Sequence, residues 1–136
     1  MILHNNSPWP DAATARPFLA FLAGIADAFP DLPQNAAWQD ALATWLIEKD
    51  VAALAAVRCR EPFPSLAERL QAHLYDTAAE NSLHWHNLKQ INERFLEADL
   101  TAVLLKGAAL AETVYDGPAQ RAMADVDLWL AAQDMA

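Results

Sequence analysis

A single cysteine, Cys59, leaves this 136-residue chain unable to close an internal disulfide and suits it to a reducing compartment. Basic residues are scarce: nine Lys and Arg stand against 18 Asp and Glu, for a net charge of −9. That balance argues against a broad nucleic-acid surface, because polynucleotide binders displace counterions with Lys and Arg. No apolar run is long enough to span a bilayer. Pro17 to Ala26 has the outline of a secretory leader, lying between Arg16 and Ala26-Asp27-Ala28. The segment before it, however, carries Asp11 and little positive charge. Phe18, Leu22, Ile25 and Phe29 also fall at helical spacing, so the stretch reads as an amphipathic helix of a cytoplasmic protein with no membrane attachment. No repeat, low-complexity tract or linker divides the chain.

What is present is apolar: 54% hydrophobic and 20% charged, which excludes general disorder and supplies one real core. Met1 to Ala13, with Pro8 and Pro10, reads as a loop. A first helix is expected over Ala15 to Phe29, with Pro17 in its first turn, until Pro30-Asp-Leu-Pro33 breaks it. A second spans Ala36 to Glu48 with Trp38, Leu42, Trp45 and Leu46 on one stripe. Asp50 is placed to cap a third, Val51 to Arg60, and Glu61-Pro-Phe-Pro64 ends it. Ser65-Leu-Ala-Glu68 matches a capping box. Leu66, Leu70, His73, Leu74 and Ala78, then Leu83, Leu88, Ile91, Phe95 and Leu96, continue as two helices or one with a bend near Thr77 to Ser82.

The last third changes character. Thr101 to Leu105 is a continuous apolar run, as in a strand covered on both faces. Lys106-Gly107 ends it, Ala108 to Tyr115 favours helix, and Asp116-Gly117-Pro118 turns the chain. From Asp125 to Leu130 residues alternate, with Asp125, Asp127 and Trp129 on one side and Val126, Leu128 and Leu130 on the other. Two residues along a strand span roughly 7 Å, so both carboxylates can reach one cation from one face. Paired acids on a half-buried surface disfavour each other's charge, and a divalent metal with a taste for hard oxygen ligands removes that penalty. The plain alternative is a solvated strand face.

The run Leu104-Leu105-Lys106-Gly107, followed by Arg121 four residues before Asp125-Val126-Asp127, resembles the Leu-Lys-Gly…Arg…Asp-x-Asp signature of a bacterial nucleotidyltransferase family in the DNA polymerase β-like superfamily. The resemblance is specific over residues 101–130, continues weakly back through Asn81 to Asp99, and says little about residues 1–80. It implies a predominantly helical α+β fold, with a helical N-terminal region (1–100) packed on the first strands of a mixed sheet (101–136, strands about 101–105 and 125–130), together one compact unit. It implies Mg²⁺-dependent transfer of a nucleoside monophosphate from a nucleoside triphosphate. Asp125 and Asp127 are then metal ligands, and Lys106, Gly107, Ala108 and Arg121 hold the nucleotide. The superfamily prefers Gly-Ser or Gly-Gly where this chain has Gly107-Ala108, and its third carboxylate, from a later strand, has no counterpart here. The chain therefore reads as the N-terminal part of such an enzyme or as a degenerate, non-catalytic relative.

The residues suit that chemistry on their own terms. A glycine at a helix N-terminus presents N–H groups and a positive dipole end to phosphate, and Lys106 and Arg121 can neutralise triphosphate oxygens. Arg121 could instead pair with Asp125 or Asp127. With so few basic groups, the acceptor is expected to be a small molecule or a protein and not a nucleic acid. The competing reading is a non-catalytic helical interaction or nucleotide-sensing module. Elsewhere the bland readings prevail. His84 and His86 point apart on a helix and cannot chelate together. Cys59 between Arg58 and Arg60 could have a lowered pKa but reads as a half-buried helical thiol. The tryptophans read as core, Trp129 included, although it lies on the aspartate side and could line a nucleotide pocket.

Overall fold

A computed structural model describes residues 12–135 of the chain. Within them, five α-helices and two short strands occur in the order α1 (Ala12–Leu22), α2 (Ala36–Glu48), α3 (Ala52–Arg58), α4 (Pro64–Glu97), β1 (Ala102–Leu104), α5 (Lys106–Thr113) and β2 (Leu128–Leu130). The fold is α+β and predominantly helical. The chain divides into two compact units, Met1–Gln71 and Ala72–Ala136, which places the boundary within α4. Residues 101–136 thus share their unit with the C-terminal part of that helix. The loop expected over Met1 to Ala13 lies mostly outside the described residues, but Ala12 and Ala13 already belong to α1.

In the first unit the apolar periodicity works largely as expected. Phe18, Leu22, Leu42, Leu46, Phe63, Leu66 and Leu70 are buried, with Ala55 and Cys59 between them. Phe29 meets Phe18, Phe21 and Phe63 edge-on, at centroid distances of 6.2, 5.1 and 5.8 Å. α1 stops at Leu22, seven residues short of the expected Phe29. The Gly24 N–H reaches the Phe21 carbonyl and the Ile25 N–H the Ala20 carbonyl, a Schellman ending with Gly24 at φ +70°. Ile25, expected on the buried stripe, is consequently 82% exposed.

α2 has the expected bounds, and the Asn35 side chain caps it by accepting from the Trp38 N–H at 2.9 Å. Asp50 does not cap α3: it sits at φ +56° where α2 ends, and Val51 occupies the cap position without a side-chain bond. Ser65 is not a cap either, because α4 begins one residue earlier with Pro64 in its first position and the Phe63 carbonyl accepting the first helical bonds. α4 is one continuous helix of 34 residues, roughly 50 Å, rather than two. Its inward stripe in the second unit runs Leu74, Ala78, Asn81, Trp85 and Leu88, while Leu83, Ile91 and Leu96 are exposed.

β1 and β2 pair antiparallel, with Ala102 opposite Leu130, Val103 opposite Trp129 and Leu104 opposite Leu128. They form a two-stranded sheet whose inner face meets the C-terminal part of α4. Ala102, Leu104 and Leu128 line a groove of about 320 Å³ there with Trp85, Leu88 and Phe95. The outer face is not covered by described residues: Val103 is 46% and Trp129 57% exposed. This corrects two expectations, a strand buried on both faces and a core role for Trp129. A two-stranded antiparallel sheet buries one side only.

Candidate active site

The sheet ends in a corner that carries the chemistry. One bond beyond the ladder, the Leu105 N–H donates to the Asp127 carbonyl at 3.0 Å, so the segment before β2 runs alongside the start of α5. Asp125 and Asp127 therefore lie on the approach to β2 and not within it. The alternation read from the sequence persists through this approach. Val126 packs on a small core of Ala108, Ala111 and Met123, and Leu128 lines the groove against α4. Asp125 and Trp129 are exposed, and Asp127 is partly so.

α5 begins at Lys106, two residues before the expected start, and ends at Thr113. Lys106 has φ +49°, a left-handed conformation uncommon for a non-glycine residue and often found at functional corners. Its Nζ lies 3.0 Å from Asp127 Oδ2. The hydrogen bond and charge of Asp127, with a smaller pull from Asp125, hold this ammonium above the ordinary lysine range. Both aspartates thus act on one cation at the strand-to-helix corner. The contact is an ion pair, although an exposed one, sensitive to salt.

Gly107 comes next, in the first turn of α5, where helical N–H groups lack intrahelical partners. Arg121 stands over it: a Cβ at Gly107 would sit 3.9 Å from Arg121 Nη2 and 3.8 Å from Met123 Cγ. Arg121 forms no ion pair with Asp125 or Asp127, and its Nε is buried without a hydrogen-bond partner among the described residues. Of the residues singled out, Ala108 is placed differently from the rest. Its methyl is buried in the small core, which leaves only its backbone to face a ligand.

One residue escaped the sequence reading. Asn81 of α4 is 1% exposed and donates from Nδ2 to the carbonyls of Pro118 and Arg121, the latter at 2.7 Å. It thereby ties the 3₁₀ turn Pro118–Gln120 to the helix. The available signal was its place in Leu74-x₃-Ala78-x₂-Asn81-x₃-Trp85-x₂-Leu88, where a polar residue interrupts an apolar stripe.

The other groups singled out in the sequence lie elsewhere in the fold. His86 meets the Gln90 side chain at 3.1 Å on the surface of α4. Among the described residues no group of three or more His, Cys, Asp or Glu is arranged to hold a metal ion. Cys59 is fully buried, and burial pushes its thiol up to about 12, opposite to the lowering that Arg58 and Arg60 could have caused. No described helix is long and apolar enough to cross a membrane.

A family model described as "Uncharacterised nucleotidyltransferase" covers residues 35–136, reaching far back from the Lys-Gly corner through α2, α3 and α4. No curated protein matches. No solved structure matches. With three quarters of its length, including the whole Lys106-to-Asp127 corner, inside that match, the chain belongs to this nucleotidyltransferase family.

Proposed function

We propose that the corner formed by Lys106, Gly107, Arg121, Asp125 and Asp127 binds a nucleoside triphosphate with Mg²⁺. The chain then transfers the nucleoside monophosphate to a small-molecule or protein acceptor. The observation that carries this reading is the Lys106 ammonium 3.0 Å from Asp127 Oδ2, beside the N-terminus of α5. A cation is already drawn to the acidic pair in the protein by itself.

The donor set suits magnesium, which commonly takes one or two carboxylates and completes its shell with phosphate oxygens and water. Asp125 and Asp127 would hold it, and when bound it neutralises charge on the triphosphate and its leaving group. The Gly107 and Ala108 N–H groups at the start of α5 face phosphate with the positive end of the helix dipole. Arg121, standing free of both aspartates, offers a planar donor fork to phosphate oxygens. Lys106, paired with Asp127 in the protein by itself, would turn its charge to the triphosphate when the aspartates hold the metal. An acceptor hydroxyl or similar nucleophile then forms a bond to the α-phosphorus. The α–β phosphoanhydride bond breaks, pyrophosphate leaves with the bonding pair, and the acceptor's proton passes to solvent. Such transfer depends on positioning and charge neutralisation, the two things this corner supplies.

Calorimetry with ATP, GTP, CTP and UTP, with and without Mg²⁺, tests the reading. Metal-dependent binding that disappears in Asp125→Ala/Asp127→Ala is expected; metal-independent binding, or none, refutes it. A second reading, a bacterial nucleotide sensor or helical interaction module without turnover, draws on the exposed Leu83, Ile91 and Leu96 along α4. Binding without pyrophosphate release, whatever acceptor is supplied, would favour it.

A further inference from the structure

Arg121 is the cation best placed to meet phosphate, yet nothing on its own side chain fixes it. It pairs with no acid among the described residues, and its Nε has no partner there. Its segment is also short of local support: from the end of α5 at Thr113 to β2 at Leu128, all of it described, the only regular element is the three-residue turn Pro118–Gln120. What holds Arg121 beside Gly107 comes from another part of the fold. The Asn81 carboxamide, buried on the inward stripe of α4, donates to the carbonyl of Pro118 at the start of the turn and to that of Arg121 just after it.

We propose that Asn81 is a positioning residue of the nucleotide site, bracketing the 118–121 turn from both ends so that the Arg121 guanidinium stays over the first turn of α5. This rests on the nucleotidyltransferase reading of that corner. Two main-chain carbonyls need two donors from one short side chain, and an amide is the group that supplies them. Asp matches its shape, but as a carboxylate it can only accept and would face two acceptors. Leu matches its bulk and donates nothing. The Oδ1 atom of Asn81 is buried without a partner, so the side chain is not there to satisfy itself; both of its bonds are spent on the loop.

The test uses the full chain as wild type, Asn81→Leu, Asn81→Asp, Arg121→Ala and the Asn81→Leu/Arg121→Ala double variant. Melting temperature, the Arg121 Nε–Hε resonance without ligand, and affinity for Mg²⁺ with ATP, GTP, CTP or UTP are measured on each. In Asn81→Leu the Arg121 resonance shifts and loses its protection from exchange, and affinity falls about tenfold, as for loss of a charged contact. The double variant binds no more weakly than Arg121→Ala, because the effect of Asn81 runs through Arg121. In Asn81→Asp affinity, taken relative to wild type at the same pH, recovers in part as pH is lowered, since the protonated acid regains one donor. Should Asn81→Leu fail to fold, Asn81→Asp across pH carries the test. Wild-type affinity in both Asn81 variants, or additive losses in the double variant, overturns the inference while leaving the nucleotide site standing. A wild-type protein that binds no nucleotide brings down both.

Discussion

Gly107→Ala separates a glycine kept for the fold from one kept for a ligand. Gly107 is not in a left-handed conformation, and a Cβ there would meet its nearest neighbours, Met123 Cγ and the Arg121 guanidinium, at 3.8 to 4.0 Å, ordinary van der Waals distances. The fold therefore has room for the methyl. Because glycine in a helix is worth roughly 0.5–1 kcal/mol less than alanine, the substitution should stabilise the protein by up to about that much. In a chain of this size that raises the melting temperature by about 2–4 °C. The same methyl stands in front of Arg121 Nη2, in the space where a phosphate oxygen shared by the guanidinium and the α5 N–H groups would lie. Loss of one charge-assisted bond costs about 1.5–3 kcal/mol, or roughly 10- to 100-fold in affinity. Thermal melts without nucleotide and calorimetry with Mg²⁺ and nucleoside triphosphate read the two effects separately. A variant that gains stability but binds nucleotide as well as wild type would refute the view that Gly107 is there for close approach of phosphate. One that loses several degrees would show that the backbone itself needs the glycine.

Gly24→Ala should behave oppositely: at φ +70°, with Arg58 Nη2 2.6 Å from the position of the new Cβ, it should lower stability by about 1–2 kcal/mol in a thermal or denaturant melt, even after Arg58 moves aside. Cys59 should resist alkylation in the native protein at neutral pH and react on unfolding. Because burial raises its pKa from 9.0 to about 12, the folded protein keeps the proton that the unfolded chain releases. Its contribution is complete below pH 9 and is lost by about 1.4 kcal/mol per pH unit on rising toward 12, measurable as a falling midpoint in urea. Asp125→Ala/Asp127→Ala should leave the helical fold intact by circular dichroism while abolishing Mg²⁺-dependent nucleotide binding. Leu46→Ala, at a position with no exposure, should cost about 2–5 kcal/mol in the first unit.

Local sequence was enough to place α2, because its apolar stripe is a signal carried by near neighbours in the chain. It was also enough for the alternation across Asp125 to Leu130, because a strand has a period of two. The closeness of Lys106 to Asp127 is a tertiary outcome, since antiparallel pairing of β1 with β2 brings the approach to β2 alongside the start of α5. Other features depend on contacts distant in sequence or on a balance that apolar spacing does not report. Gly24 ends α1 early because a left-handed residue with two backward bonds satisfies the helix end. α4 runs unbroken past Thr77 to Ser82, its inward stripe continuing from Leu74 through Ala78, Asn81 and Trp85 to Leu88, with Asn81 fully buried and the others half-buried. Arg121 could have paired with either aspartate; which partner a cation meets depends on how a loop is folded back, and here a buried amide 40 residues earlier, Asn81, sets that path. Local chemistry chose the residues of the corner, and long-range packing chose which of them face one another.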